Sequence, residues 1–331
     1  MDIVRHKYIF LGISGTLVAA GMIIISVWGL RLGIDFTGGS LLEAEFVSLS
    51  AADESGAGEE RVLEDGAPAL QRSAKEGITA GRPDLDKIRS ALQSLDLEGL
   101  GVQNAGANGV ILRFRHVDEE KHQEIVGVLQ SVAGAAQVKE LRFDTIGPAV
   151  SETLKRRAYL ALGISASAIV LYIAWAFRKV SEPVSSWKYG IAAVIALGHD
   201  VILPLAVFAV LGRWYDVPVD SFFITAMLTV MGFSVHDTIV IFDRIRENQM
   251  REGRKMPFES VINVSIRQTI ARSVNTSLTV LLVLGAIYAF GGLTIRYFAL
   301  ALIIGVAAGT YSSIFLASPL LAVWAGRTGR G

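Results

Sequence analysis

Cysteine is absent from the 331 residues, which excludes disulfides, thiolate metal sites and cysteine nucleophiles while leaving the compartment open. Charge is scarce as well. Only 19% of residues are charged, against about 25% in a soluble domain that must wet its surface. The charges also cancel, with 31 Lys+Arg and 31 Asp+Glu. No basic excess is left to neutralise phosphates, so nucleic acid is not an expected partner. The five His are scattered and no H-E-x-x-H occurs, so no metal site is expected. A nucleotide loop of the form G-x-x-x-x-G-K and a nucleophile elbow G-x-S-x-G are both missing, and no cofactor is implied. What fills the chain is apolar: 52% hydrophobic residues and a mean hydropathy of +0.47. This is the composition of a membrane protein.

About 20 apolar residues cross a ~30 Å hydrocarbon core. Six stretches predict spans: Tyr8–Leu30, Ala158–Phe177, Tyr189–Leu211, Ser221–Phe242, Ser273–Phe290 and Tyr297–Trp324. The first is too long for a signal peptide, and Gly33-Ile34-Asp35 follows it without a small-residue cleavage pattern. The fifth is the weakest, its apolar run starting only after Asn275. The sixth is overlong and carries Pro319, which predicts a tilt or kink near its end. With the N-terminus inside, the inner segments collect Arg5, Lys7, Arg178, Lys179, Lys188, Arg244, Arg246, Arg251, Arg254, Lys255, Arg267, Arg272, Arg327 and Arg330, while the short outer loops hold Arg213 and Arg296. That asymmetry predicts both termini in the cytoplasm. Lys155-Arg156-Arg157 lies on the other side, at the end of a long translocated loop where the rule is weak.

Residues 1–30 are thus the N-terminus and first span, and 158–325 the other five, with a cytoplasmic tail at 326–331. Between them, 31–157 is a polar block of domain size. Thr37–Phe46, Gly109–Phe114 and Gln137–Asp144 alternate as strands. Asp84–Leu95 and Asp118–Ala133 are amphipathic helices, the first with Leu85, Ile88, Leu92 and Leu95 on one face. Strand, helix, strand, helix, strand predicts a small α+β domain of the ferredoxin-like kind on the periplasmic side. Ser48–Gly81 is rich in Ala, Gly, Glu and Ser without an apolar period and reads mostly as a mobile loop. Residues 257–272 carry Phe258, Val261, Ile262, Ile266 and Ile270 on one face, predicting an amphipathic segment along the inner membrane surface.

Ionisable groups within spans cost at least ~2.5–3.5 kcal/mol each, so they need a reason. His199-Asp200 falls at the middle of the third span, and His236-Asp237 follows Ser234 in the fourth. Arg272 opens the fifth. Carboxylate, imidazole and guanidinium inside one bundle are the parts of a proton relay, with Asp237 and Arg272 as its centre. The same residues also fit a structural role, as a buried ion pair or polar helix contact that fixes packing, and for His199-Asp200 that role is favoured. Asp243-Arg244 at the inner end of the fourth span reads as interfacial. Ala301, Gly305, Gly309, Ser313 and Ala317 recur every four residues along the sixth span, a small-residue stripe that lets another helix come close.

Several stretches, taken in order, resemble the SecF branch of the SecD/SecF family, in the RND superfamily. Gly33-Ile34-Asp35-Phe36-Thr37-Gly38-Gly39 follows the first span, Gly147-Pro148-x-Val150-Ser151 precedes the second, and Gly198-His199-Asp200 lies in the third. The run Asp237 to Asn248, including Asp243-Arg244, then Asn263-Val264-Ser265 and Arg272 complete the set. The resemblance implies an accessory subunit of the bacterial Sec machinery that pairs with SecD in the inner membrane. It would work with the SecYEG channel, YajC and the SecA ATPase, and use the proton-motive force to draw preprotein outward. It also implies that the proton-linked pair falls on Asp237 and Arg272. The sequence departs from the family at His236, where Asn is usual, and in a longer outer loop at Ser48–Gly81. Two other readings share some of these features: a proton-driven exporter of drugs or lipids, which usually carries about twice as many spans, and a passive scaffold of the channel. An intramembrane enzyme would need a facing catalytic pair, and none is arranged convincingly.

Overall fold

The computed structural model describes residues 3–48, 82–134, 136–178, 185–252 and 256–328. The expected mobile loop lies, from residue 49 onward, outside the described residues. Two compact units result: Met1–Gly33 with Leu154–Gly331, and Ile34–Thr153.

The first unit holds six helices long and apolar enough to cross a membrane. They are α1 (Lys7–Trp28), α5 (Pro148–Ala176), α6 (Ser186–Tyr215), α7 (Ser221–Glu252), α8 (Phe258–Phe290) and a sixth made of three parts. That sixth span runs through α9 (Leu293–Ser312), a π-helical turn (Ser313–Ala317) and α10 (Ser318–Thr328). Spans α6, α7 and α9–α10 are each about half buried and form the middle of the bundle, whereas α1, α5 and α8 are mostly exposed. Pro319 predicts a tilt or kink near the end of this span, and the structure has this π turn there, ending two residues before the proline. A wider turn relieves the clash between the proline ring and the carbonyl of Phe315, four residues earlier, and Ser318 Oγ donates to the Ser313 carbonyl at 2.9 Å.

One sequence expectation is corrected. Residues 257–272 do not form a separate surface segment, because Phe258–Phe290 is one uninterrupted helix of 33 residues. At 1.5 Å per residue it is about 50 Å long and outreaches the hydrocarbon core. Its apolar stripe packs inward, with Val261, Ile262 and Ile266 buried. The N-terminal turn Val4–His6 lies against it, where Val4 N–H donates to Asn263 Oδ1 at 3.1 Å and Lys7 pairs with Glu259 at 2.5 Å.

The second unit contains α2 (Ile34–Thr37), β1 (Gly39–Ser48), α3 (Leu85–Leu92), β2 (Gly101–Ala105), β3 (Gly109–Phe114), α4 (Glu119–Val132) and β4 (Ala136–Ile146). The sheet order is β2-β3-β1-β4, all antiparallel. Strand β2 was not foreseen. It supplies the fourth strand, so the order is βαββαβ, the ferredoxin-like arrangement. Leu42, Ala44 and Phe46 of β1 and Val110, Leu112 and Phe114 of β3 face Ile88, Leu92, Ile125 and Leu129 of the helices in one core. The first strand starts at Gly39 rather than Thr37, since Ile34–Thr37 closes a helical turn.

The two glycine-bearing signatures meet at the base of this unit. Gly38 and Gly39 have φ of 73° and 130°, a region that side chains avoid. A Cβ on Gly39 would sit 2.7 Å from the Phe114 carbonyl oxygen. Gly39 pairs with Ile146 at the end of β4. Just beyond, the Gly147 carbonyl accepts from Val150 and Ser151 as α5 begins at Pro148. Both motifs therefore build the turn where the domain's chain enters and leaves, and Asp35 and Phe36 lie on the short helix before it.

Candidate functional site

The middle spans bring two carboxylates together on a row of hydroxyls. Asp200 on α6 has no exposed surface and His199 is 2% exposed. The Asp200 carboxylate meets His199 Nδ1 at 2.8 Å through Oδ1. Its Oδ2 accepts from Ser234 Oγ of α7 at 2.6 Å and from Ser312 Oγ of α9 at 2.7 Å. One turn along α7 from Ser234, Asp237 is 6% exposed and its Oδ2 accepts from Ser313 Oγ. Ser312 and Ser313 are consecutive, where α9 passes into the π turn, and each serves a different carboxylate. Wider turns of this kind collect at functional sites because they re-aim neighbouring side chains.

Further polar groups extend the row. Ser277 Oγ of α8 and Thr310 Oγ1 of α9 lie 2.5 Å apart. His199 Nε2, Thr238 Oγ1 and Ser273 Oγ are buried without a hydrogen-bond partner, and sites of this kind are where buried water binds. The His199 ring stacks at 5.9 Å on Tyr311, whose hydroxyl accepts from Ser14 of α1 at 3.4 Å.

The small-residue stripe explains why the carboxylates lie so close to α9. A Cβ on Gly305 would fall 2.2 Å from Val230 Cγ2 of α7. One on Gly309 would lie 3.3 Å from Ser234 Cβ and 3.5 Å from Asp200 Oδ2. Ala301 is fully buried on the same line. The stripe faces the fourth span, not lipid, and Ser313 on it is also the donor to Asp237.

The groups singled out from sequence are not all gathered here. Asp237 and Arg272 do not form an ion pair: Arg272 is exposed on α8, and among the described residues Asp237 is held by Ser313. Span order alone suggested that pairing, and it cannot tell which helix face a residue occupies. His236 is likewise exposed, on α7, and makes no hydrogen bond to Asp237. Asp243 reaches Arg246 at 3.8 Å, and Arg244 bonds Glu247 at 2.5 Å and Gln268 at 2.6 Å, at the inner end of α7. Sequence reasoning missed Ser312 and gave Ser313 only a packing role. The signal was available in two adjacent hydroxyls inside an apolar span, six residues before a proline.

Six spans around buried carboxylates, with one ferredoxin-like domain inserted after the first span, define a polytopic membrane protein of RND-like architecture. The family model for the C-terminal part of the protein-export membrane proteins SecD and SecF matches residues 127–327, and that for the SecD/SecF GG motif matches residues 23–48. The chain belongs to the SecD/SecF family of protein-export membrane proteins. It is 42% identical over 327 residues to the protein translocase subunit SecF of Thermobaculum terrenum, covering 98% of this chain and 94% of that one. The subunit SecF of Anaerolinea thermophila is 38% identical over 325 residues, with the same coverage of 98% and 94%. The crystal structure of SecDF from Thermus thermophilus, a translocon-associated membrane protein, matches with a TM-score of 0.77 at 27% identity. The match covers 99% of this chain, which spans 39% of the length of that one.

Proposed function

We propose that this chain is the SecF-type subunit of a bacterial Sec preprotein translocase and couples the proton-motive force to late export of polypeptide. The observation that carries the reading is the pair of buried carboxylates, Asp200 and Asp237, on hydroxyl donors, with His199 beside Asp200 and no Lys or Arg bonded to either among the described residues. A membrane carboxylate held this way can alternate between charged and neutral forms, and each change alters its attraction to the neighbouring helices. The work is transport, not catalysis of a covalent reaction, and the energy source is the proton gradient, with no cofactor. Both termini lie in the cytoplasm, with Ile34–Thr153 on the periplasmic side of the inner membrane. SecD is the direct partner, and SecYEG, YajC, SecA and the moving preprotein complete the assembly. Arg272 and His236, exposed on α8 and α7, then face SecD instead of Asp237.

The test is export into inverted membrane vesicles with and without a proton gradient. Asp237→Asn keeps the side chain's shape but cannot ionise. It should preserve assembly with SecD and lose the gradient-dependent part of export. Full gradient stimulation in an assembled Asp237→Asn complex would leave the passive scaffold as the better account.

A further inference from the structure

We propose that His199 and Asp200 form a second proton-holding station, joined to Asp237 through the consecutive hydroxyls of Ser312 and Ser313. This rests on the proton-coupled reading above and adds to it the group that stores the proton. The favoured sequence reading of His199-Asp200 was packing alone. Three observations tell against that. The carboxylate is fully buried and takes three donors from two neighbouring helices and its own. The imidazole beside it keeps one nitrogen, Nε2, buried and unpartnered. The residue after Ser312, Ser313 at the start of the π turn, donates to the other buried carboxylate, Asp237 of α7.

The step balances without an oxidant. At rest His199 is neutral with its proton on Nδ1, donated to the Asp200 carboxylate across 2.8 Å, and Nε2 is bare. A proton arriving at Nε2 makes the ring an imidazolium. The Nδ1 proton then crosses to Oδ1, leaving a neutral ring protonated at Nε2 and a neutral carboxylic acid. The pair has gone from one negative charge to none. For discharge the carboxyl turns its proton from the His199 side to the Oδ2 side and passes it to the Ser312 hydroxyl, which releases its own proton towards Ser313 and Asp237; the ring returns to its resting form by losing the Nε2 proton as one is taken up at Nδ1. The titratable groups around Asp200 among the described residues are His199 on α6, Asp237 on α7 and Tyr311 on α9. From α1, Ser14 reaches Tyr311, and Arg272 of α8 is exposed.

The test uses the full chain assembled with SecD in vesicles, with two readouts. In gradient-driven export, Asp200→Asn and His199→Gln should each lower the stimulated rate at least tenfold, and His199→Gln should also flatten its dependence on pH. In infrared difference spectra after a pH jump, an aspartic carboxyl band should persist in Asp237→Asn protein and shift on adding His199→Gln. If Asp237→Asn abolishes stimulated export while Asp200→Asn and His199→Gln retain it, the station is overturned and the role of Asp237 stands. If Asp237→Asn itself retains stimulation, the coupling reading falls instead. Should Asp200→Asn fail to assemble, the spectra decide: no aspartic band in Asp237→Asn protein, or one indifferent to His199→Gln, overturns the inference.

Discussion

A Cβ on Gly305 would lie 2.2 Å and 2.7 Å from the two methyls of Val230 and 3.0 Å from its Cβ, so α9 approaches α7 only because that position carries no side chain. Both helix backbones are fixed by other contacts, and the added methyl must push one of them away. Gly305→Ala should cost about 1–3 kcal/mol, in the range of core overpacking, and lower the thermal midpoint of the purified protein. Gly309→Ala meets its neighbours at 3.3 Å or more and should cost less. A second residue-scale prediction concerns α4. Glu119 is exposed, and hydrogen bonds from Gln123 and then His122 hold its pKa below the ordinary 4.5. A depressed carboxylate contributes stability above its unfolded pKa and loses it as pH falls through the folded value. Protection of the amides along Glu119–Val132, measured against the rate of an unstructured chain at the same pH, should therefore fall as pH drops below about 4.5, and Glu119→Ala should weaken that acid response. An unchanged response would mean that other groups set it, among them Glu140, whose carboxylate meets buried His122 at 3.0 Å.

Elements differ in how plainly the sequence announces them. The spans were legible because their length and apolar content are dictated by the bilayer, and α3 and α4 because their apolar positions recur at helical spacing. Strand β2 was not legible: Gly101–Ala105 has one buried apolar side chain, Val102, at the sheet's edge, too little for an alternating pattern. The continuity of α8 was missed for the opposite reason. Its amphipathic half has the period expected of a surface helix, and only packing against α7 and the N-terminal turn shows it to be part of the span. In the site, charged residues drew attention while hydroxyls other than Ser234 did not, since Ser and Thr are common in apolar helices, where they bond the preceding turn. The glycine pair was legible as a turn, but its strictness came from the partner strand. Gly39→Ala must adopt φ near 130° and clash with Phe114 oxygen, whereas Gly38 has 3.4 Å of clearance. Gly39→Ala should thus destabilise Ile34–Thr153 more than Gly38→Ala, by at least ~1 kcal/mol, read as faster amide exchange in β1 and β3. Equal effects would show that the turn relaxes away from β3.

At the scale of the whole molecule, orientation and partnership make separate predictions. The chain has no cysteine, so single cysteines report sidedness without background. Ser94→Cys should react with an impermeant reagent from the periplasmic side and Thr328→Cys should be protected, and the reverse would invert the topology. Partnership is argued from what the bundle leaves uncovered. Thr225, Thr229, Gly232, His236 and Asp243 follow one line down α7, and Arg272, Asn275, Thr276 and Thr279 one line down α8, all exposed. The Thr225, Thr229 and Thr279 hydroxyls bond their own helix backbones and are tolerable in lipid. Among the described residues, His236 and Arg272 have no such bond. A charged group in hydrocarbon costs at least ~2.5–3.5 kcal/mol, so a subunit working alone would carry that cost with nothing gained. A second membrane subunit lying on this side removes it by supplying an acceptor, and helices with small and hydroxyl residues at the contact can come close. Cysteines at Thr229 and His236 should therefore cross-link to SecD in native membranes, whereas one at Leu282, exposed on α8 but apolar, should cross-link less. Arg272→Ala should weaken the complex or its gradient response without lowering the thermal stability of this subunit alone, because Arg272 makes no ion pair among the described residues. Loss of stability in the isolated subunit, with SecD binding unchanged, would place the role of Arg272 inside this bundle and not at its partner.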